Sequence, residues 1–177
     1  MPDYRRNRIP GGTYFFTVNL HDRGSDLLVT NIAALRQAVR DVRRRAPFHI
    51  DAWVILPNHM HAIWTLPLGD TDYSGRWRAL KKAFTKAVPV TEHLSAIQQG
   101  RNERGIWQRR FWEHTIRDDN DYVNHVDYVH FNPVKHSYVE YVADWPFSSF
   151  HRAVARGLYP VDWNVATTEA TGRGERG

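Results

Sequence analysis

The sequence predicts an α+β domain with the split βαβ (ferredoxin-like) chain order, which forms an antiparallel sheet with helices packed mainly on one face. Two observations lead to this prediction. Runs rich in β-branched and aromatic residues alternate with helical runs in the order β-α-β-β-α-β, and a further helix follows. The central strands meet at Pro57-Asn58, a turn signal that predicts a hairpin. No apolar run approaches the roughly 20 residues that span a bilayer.

Local signals set the boundaries of these elements. Thr30 and Ser74 are suited to cap the first and second helices, and Asp118 or Asp119 the third. Pro133 makes continuation of the third helix unfavourable, so we expect that helix to end near Phe131. The predicted strands are 13–20, 48–56, 59–66 and one from about Phe111; the predicted helices are 31–45, 74–88 and 118–131.

The chain length of 177 residues is typical of one domain. We expect the domain to cover residues 1–163, with a variable loop at 89–105 and a C-terminal segment at 144–159 that packs against the rest of the domain. Residues 164–177, rich in Thr, Gly and Arg, predict a disordered tail.

Composition narrows the classes of partner and site. The chain has no cysteine, so a metal ion must be held by nitrogen and oxygen ligands. Residues 1–117 carry a net charge of +9 and residues 118–177 a net charge of −4, which favours a polyanionic partner such as nucleic acid. Without a signal peptide or membrane span, a cytoplasmic protein is the expectation.

The second strand of the predicted hairpin carries two candidate metal ligands. Side chains alternate along a strand, so His59 and His61 share one face while Met60 points to the other. Their Cα atoms lie about 6–7 Å apart, close enough for two imidazoles to converge on one ion. A His-x-His strand alone is more often structural than ligating, so the assignment depends on what the rest of the chain supplies.

The third predicted helix supplies further reactive groups. At 100° per residue, Asp121, His125, Tyr128 and Asn132 cluster on a polar face. A core tyrosine would lie on the other side, so Tyr128 is the candidate nucleophile and Asn132, one turn later, a candidate ligand. The apolar side of the helix is formed by Tyr122, Val123, Val126 and Val129.

This combination of groups suits phosphodiester cleavage. Neutral imidazoles and an amide oxygen leave a divalent cation, Mg²⁺ or Mn²⁺, with its full charge and with open positions for a phosphate oxygen. A tyrosine with an ordinary pKa near 10 is a poor nucleophile until a metal or base assists it. Its attack would form a phosphotyrosyl intermediate that preserves the bond energy for rejoining.

Motifs along the chain resemble those of one family. His59-Met60-His61 matches the histidine–hydrophobic–histidine motif of HUH single-strand endonucleases. Asp127-Tyr128 with Asn132-Pro133-Val134-Lys135-His136 resembles the catalytic helix of REP-associated tyrosine transposases. The similarity extends from about Tyr4 to Trp163, and the other matching segments are Tyr4-Arg5-Arg6, Gly11-Gly12-Thr13, Phe15-Phe16-Thr17-Val18-Asn19, Trp107-Gln108, Phe111-Trp112-Glu113-His114 and Asp144-Trp145-Pro146-Phe147-Ser148.

The resemblance implies the HUH endonuclease fold and a role for each site residue. Tyr128 would be the nucleophile and His59 and His61 metal ligands, with Asn132 completing the site where insertion-sequence relatives commonly have Gln. Members of the family cleave single-stranded DNA beside repetitive extragenic palindromes, and leave a 5′-phosphate on tyrosine and a free 3′-OH. Insertion-sequence relatives act as dimers that exchange tyrosine helices, whereas we expect a monomer here. DNA contacts are expected from the N-terminal arm and a basic helix stripe, namely Arg5, Arg6, Arg78, Lys82 and Lys86.

Other interpretations remain open at the level of the sequence. The two histidines could be structural, and Tyr122, Tyr138 and Tyr141 are rival nucleophiles. His114 and His125 are expected to support the site by hydrogen bonding rather than as ligands. Asp121 could orient a ligand or interact with the helix dipole. The alternative function is a non-catalytic module that binds single-stranded nucleic acid on an aromatic sheet surface.

Overall fold

The computed structural model describes residues 5–90, 97, 100, 101 and 104–165. The predicted variable loop lies largely outside these residues, as do Tyr4 and most of the predicted tail. Among the described residues, no helix is both long enough and apolar enough to cross a membrane.

The element order agrees with the sequence prediction. The strands are β1 (Thr13–Asn19), β2 (His49–Ile55), β3 (His59–Thr65) and β4 (Trp112–Thr115). The helices are α1 (Leu27–Thr30), α2 (Ile32–Arg45), α3 (Tyr73–Ala87), α4 (Asp119–Lys135) and α5 (Phe150–Ala155), with a 3₁₀ helix at Val142–Asp144.

The four strands form an antiparallel sheet in the order β2-β3-β1-β4. This is the strand order of the split βαβ topology, so the predicted fold class is confirmed. In this order β3 is central and pairs with β1 and β2, which places the histidine strand in the interior of the sheet.

Each face of the sheet has its own apolar cluster. Helices α2 and α3 contribute Leu35, Trp77 and Phe84 to the larger cluster, which covers the face that carries Met60 and Trp64. Helix α4 contributes Val126, Tyr128 and Val129 to a smaller cluster on the other face. Because side chains alternate along β3, His59 and His61 lie on the face that α4 covers.

Two predicted helix caps are wrong. Thr30 is the last residue of α1, and Asn31 precedes α2 without a capping side-chain bond. At α3 the cap is Asp72 rather than Ser74, because the Asp72 carboxylate accepts a hydrogen bond from the Gly75 backbone N–H at 2.8 Å. Trp77, Leu80 and Phe84 of α3 are buried, as is Val88 at its C-terminal end.

The prediction that α4 ends near Phe131 is also wrong, since the helix continues to Lys135 with Pro133 inside it. Proline in this last turn removes one backbone N–H donor, but the carbonyls of the turn can still accept hydrogen bonds from later N–H groups. The Asn132 carbonyl accepts from His136 N–H, and the Pro133 carbonyl accepts from Tyr138 N–H, each at 3.0 Å. Asn132 therefore remains in regular helical register with Tyr128.

The segment after the 3₁₀ helix covers the outer edge of β2. Ile55 N–H donates to the Phe147 carbonyl, and Ser149 N–H donates to the Trp53 carbonyl. The Trp145 indole N–H donates to the Ile55 carbonyl at 2.9 Å. These bonds occupy β2 groups that would otherwise be an exposed sheet edge.

Candidate active site

Hydrogen bonds at Nδ1 orient both histidines of β3. His59 Nδ1 donates to Asn58 Oδ1 at 2.6 Å, and Asn58 is oriented in turn because its amide N–H donates to the Arg23 carbonyl. His61 Nδ1 lies 2.9 Å from Thr17 Oγ1, directly across from it on β1. The Asn58 oxygen requires a proton on His59 Nδ1, and the Thr17 hydroxyl can accept one from His61 Nδ1. In that tautomer both Nε2 atoms carry lone pairs suited to a metal ion.

His61 is completely buried, and its environment keeps it neutral. Burial is the largest cause that lowers the pKa of His61 well below its ordinary value, and the nearby His59, His136 and Lys135 lower it further. Its Nε2 has no hydrogen-bond partner among the described residues. A buried imidazole of this kind is in the protonation state that a metal requires.

Tyr128 lies against the histidine pair. Its ring centroid is 5.2 Å from that of His61 in an edge-on arrangement, and Phe15 contacts both rings. The expectation that Tyr128 lies apart from the apolar side of α4 is wrong, because it packs in the smaller cluster with Val126 and Val129. Val123, predicted to be apolar-facing, is instead 52% exposed.

Asn132 lies on α4 between two residues whose rings contact the histidine pair. Tyr128, Asn132 and His136 follow one another at intervals of four residues, at the last turn of α4 and its cap, so they form one row. One end of the row contacts His61, and at the other end the His136 ring centroid is 5.0 Å from that of His59. Asn132, between them, is fully buried, and neither of its amide atoms has a hydrogen-bond partner among the described residues.

Lys135 brings a positive charge to the candidate nucleophile. Its Nζ donates to the Tyr128 hydroxyl at 3.4 Å and lies 4.9 Å from the centre of the Tyr128 ring. An ammonium group at this position stabilises a phenolate as it forms. Sequence reasoning assigned no role to Lys135 or His136, although both belong to the motif that follows Asn132.

The three rival candidates for the nucleophile have different surroundings from Tyr128. The Tyr122 hydroxyl donates to Asp51 Oδ1 at 3.1 Å, and burial together with that carboxylate raises the pKa of Tyr122 to about 12. Tyr138 and Tyr141 follow α4 and are 41% and 54% exposed. Among the tyrosines in the described part of the chain, Tyr128 is the one whose ring contacts the histidine pair.

The predicted DNA-binding residues lie in two places, the N-terminal arm and helix α3. Arg5 is exposed and lines a cavity of about 990 Å³ that also reaches Tyr128. Arg6 is engaged within the fold, where it forms a 2.8 Å ion pair with Glu113 and lies over the Phe111 ring. The remaining three, Arg78, Lys82 and Lys86, are exposed on α3, which covers the opposite face of the sheet.

Comparison with known proteins decides the family. No family model matches the chain. The REP-associated tyrosine transposase of Escherichia coli (strain K12) is 54% identical over 176 residues, which cover 99% of this chain and 98% of the relative.

This chain belongs to the REP-associated tyrosine transposases. A Haemophilus influenzae protein whose name provisionally places it in the same family is 48% identical over 164 residues, covering 92% of this chain and 93% of the relative. A solved structure of a REP-associated tyrosine transposase bound to a REP hairpin is 53% identical, with a TM-score of 0.85 and coverage of 99% of this chain and 98% of that one. The chain is therefore a DNA transposase by family, with the predicted fold.

The donor set of this transposase fits a divalent cation. Two buried imidazoles have their Nδ1 atoms engaged, and a buried carboxamide has neither of its polar atoms bonded to a described residue. Burial of an amide without a partner is costly, so its retention next to two histidines is best explained by a ligand that the amide oxygen binds. His59, His61 and Asn132 are the residues that would hold the ion.

Proposed function

We propose that this transposase is a metal-dependent endonuclease and strand transferase that cleaves single-stranded DNA at REP-type hairpins through a 5′-phosphotyrosine on Tyr128, and that it can rejoin strands. The observation that carries the proposal is the contact of the Tyr128 ring with His61, whose Nε2 is left for a ligand. The REP hairpin in the related structure supports the choice of substrate.

The proposed reaction is a transesterification at phosphorus. The Tyr128 oxygen forms a bond to phosphorus as the phenol loses its proton, and the bond from phosphorus to the 3′ oxygen breaks. The 3′ oxygen takes up a proton and leaves as a free 3′-OH. Lys135 stabilises the developing phenolate through the 3.4 Å contact.

We further propose that the cation is Mg²⁺ or Mn²⁺, held by His59, His61 and Asn132. When bound, such an ion supplies Lewis-acid activation of a phosphate oxygen. Ordered Nδ1 bonds at both histidines support this assignment, since they aim the Nε2 atoms without rotation of either ring.

For the DNA interface we propose unequal roles. Arg5 lines the cavity that reaches Tyr128 and is placed to contact the strand near the site. Arg6 acts indirectly, by fixing the arm to Glu113. The stripe of Arg78, Lys82 and Lys86 can contact only DNA that extends around the domain, because α3 lies on the far side of the sheet.

The decisive experiment incubates the protein with a labelled REP-type hairpin oligonucleotide that carries single-stranded flanks, in Mg²⁺ or Mn²⁺. We expect a slowly migrating covalent band on a denaturing gel that is lost in Tyr128→Phe and kept in the matched control Tyr122→Phe. A mobility shift without any covalent band in the wild type would instead support the non-catalytic binding module.

We propose that the active unit is a monomer, with residues 1–163 as the nuclease domain. Tyr128 contacts a histidine of its own chain, and residues 147–149 cover the β2 edge. An equimolar mixture of Tyr128→Phe and His61→Ala should therefore remain inactive. Recovery of cleavage in the mixture would mean that two chains exchange their tyrosine helices.

Since the proposed substrate is chromosomal, we place the protein at the bacterial nucleoid.

A further inference from the structure

A cluster of three potential ligands lies apart from the histidine pair, where β4 meets the start of α4. His114 is on β4, and Asp121 and His125 are one helical turn apart on α4. Their ligand atoms all lie within 4.8 Å of one another. The expectation that His114 and His125 serve the Tyr128 site by hydrogen bonding does not account for this convergence on Asp121.

The distances are close to those of a chelate. His114 Nε2 lies 2.9 and 3.0 Å from the two carboxylate oxygens of Asp121, and His125 Nδ1 lies 3.0 Å from Asp121 Oδ1. A tetrahedral Zn²⁺ with bonds of about 2.0 Å holds its ligand atoms about 3.3 Å apart. His125 Nδ1 also donates to the Asp121 backbone carbonyl at 2.7 Å, and the two imidazole rings stack nearly parallel at 4.6 Å. Ion binding would therefore require the His125 ring to turn until both imidazoles point a lone pair at the ion.

The protonation states also suit a cation. Burial is the main cause that lowers the pKa of His125, with a contribution from His114. Burial alone would raise the pKa of Asp121, but hydrogen bonds from the Arg117 backbone N–H and from His114 outweigh it and hold that pKa below its ordinary value. A neutral imidazole and an ionised carboxylate are the forms that bind metal.

We propose that His114, Asp121 and His125 form a second divalent-cation site, selective for Zn²⁺-type ions, that fastens the tyrosine helix to β4. Two imidazoles with one carboxylate favour such ions over Mg²⁺, which prefers oxygen ligands. The three residues line the same 990 Å³ cavity as Tyr128, so solvent has access to complete the coordination. This inference does not depend on the proposed nuclease function.

Zinc alone is the probe, titrated into metal-free His59→Ala/His61→Ala protein against a chromophoric chelator. This background removes the proposed catalytic ligands, so any remaining site is counted separately. We expect one Zn²⁺ per chain and a rise in thermal unfolding temperature when it binds. Adding His114→Gln or His125→Gln should weaken zinc binding by at least about tenfold and abolish the rise. His49→Gln is the matched control, because the exposed His49 lies 3.4 Å from Asp51 in a separate His–Asp pair and should leave both readouts unchanged.

Either of two results would overturn the proposal. If the background protein binds no zinc, the cluster is a hydrogen-bonded one only. If the glutamine variants retain the affinity, the ion binds elsewhere. Unfolding curves in chelator establish that each variant is folded. Should one fail to fold, imidazole nitrogen NMR of the background protein replaces it, and zinc must then shift His114 and His125 but not His49.

Discussion

Thr17 Oγ1 lies 2.9 Å from Nδ1 of His61, and the two residues are direct partners across the β1–β3 ladder. Both are buried, so the contact is protected from water. The hydroxyl fixes the rotation of the His61 ring and, by occupying Nδ1, leaves Nε2 for a ligand. A residue of the neighbouring strand thus prepares one of the two proposed imidazole ligands.

Thr17→Val should weaken the binding of Mn²⁺ at the catalytic site by about 10- to 100-fold, because a partner that orients a ligand is removed. It should also lower the free energy of unfolding by about 1–3 kcal/mol, since Nδ1 of His61 is left buried without a partner. Mn²⁺ titration and chemical denaturation measure the two effects. Thr17→Ser retains the hydroxyl and should retain most of both; equal loss in Ser and Val would show that the methyl group matters instead.

His59→Ala and His61→Ala should each abolish cleavage and leave hairpin affinity within a few-fold of the wild-type value. The reason is that the proposed phosphate contacts, such as Arg5, lie outside the pair of rings. Parallel cleavage and mobility-shift assays test this separation. A collapse of affinity in step with activity would contradict it.

Much of the site could be predicted from periodicity alone. Alternation along β3 puts His59 and His61 on one face, and helical spacing relates Tyr128 to Asn132. Thr17 could not be found in this way, because its partner depends on the register between strands that are distant in sequence. The burial of Tyr128 among valines was likewise missed, since it depends on which sheet face α4 covers.

The fold class was accessible because each strand and helix has a strong local pattern, whereas the element ends depend on three-dimensional partners. Asp72 caps α3 because its carboxylate reaches Gly75, although Ser74 is an equally good cap by residue type. Pro133 stays inside α4 because later N–H groups bond the exposed carbonyls of the last turn. Neither outcome is encoded in residue preferences alone.

Lys135→Met should slow cleavage by about 10- to 100-fold at neutral pH, because the ammonium 3.4 Å from the Tyr128 oxygen no longer stabilises the phenolate. The loss should shrink as the pH rises, since hydroxide then assists ionisation of the phenol. Single-turnover cleavage rates across a pH series measure this. Lys135→Arg keeps the charge and should keep a profile close to that of the wild type, whereas a uniform loss at every pH would indicate a merely structural role.

His130 should make the fold sensitive to acid. Burial, assisted by Arg152 and His151, lowers the pKa of His130 to about 4, and its Nε2 lies 2.9 Å from Ser149 Oγ. Between about pH 6.5 and pH 4 the unfolded chain binds a proton that the folded chain does not, so stability falls as the pH falls through this window. His130→Gln should remove up to about 3 kcal/mol of that loss. Denaturation at pH 7 and pH 4.5 tests this, with exposed His21→Gln as the control that should retain the wild-type loss.

Asn132→Leu should separate stability from activity. The fully buried amide has no hydrogen-bond partner among the described residues, so an apolar side chain of similar size removes an unfavourable burial. In metal-free buffer we expect the free energy of unfolding to rise by about 1–3 kcal/mol, while metal-dependent cleavage is lost. Chemical denaturation in chelator measures the change in the free energy of unfolding. Denaturation in Mn²⁺ measures metal binding, because Mn²⁺ should stabilise the wild type more than the variant. If Asn132→Leu is instead strongly destabilised without metal, the amide has a structural role and its assignment as a ligand loses its main support.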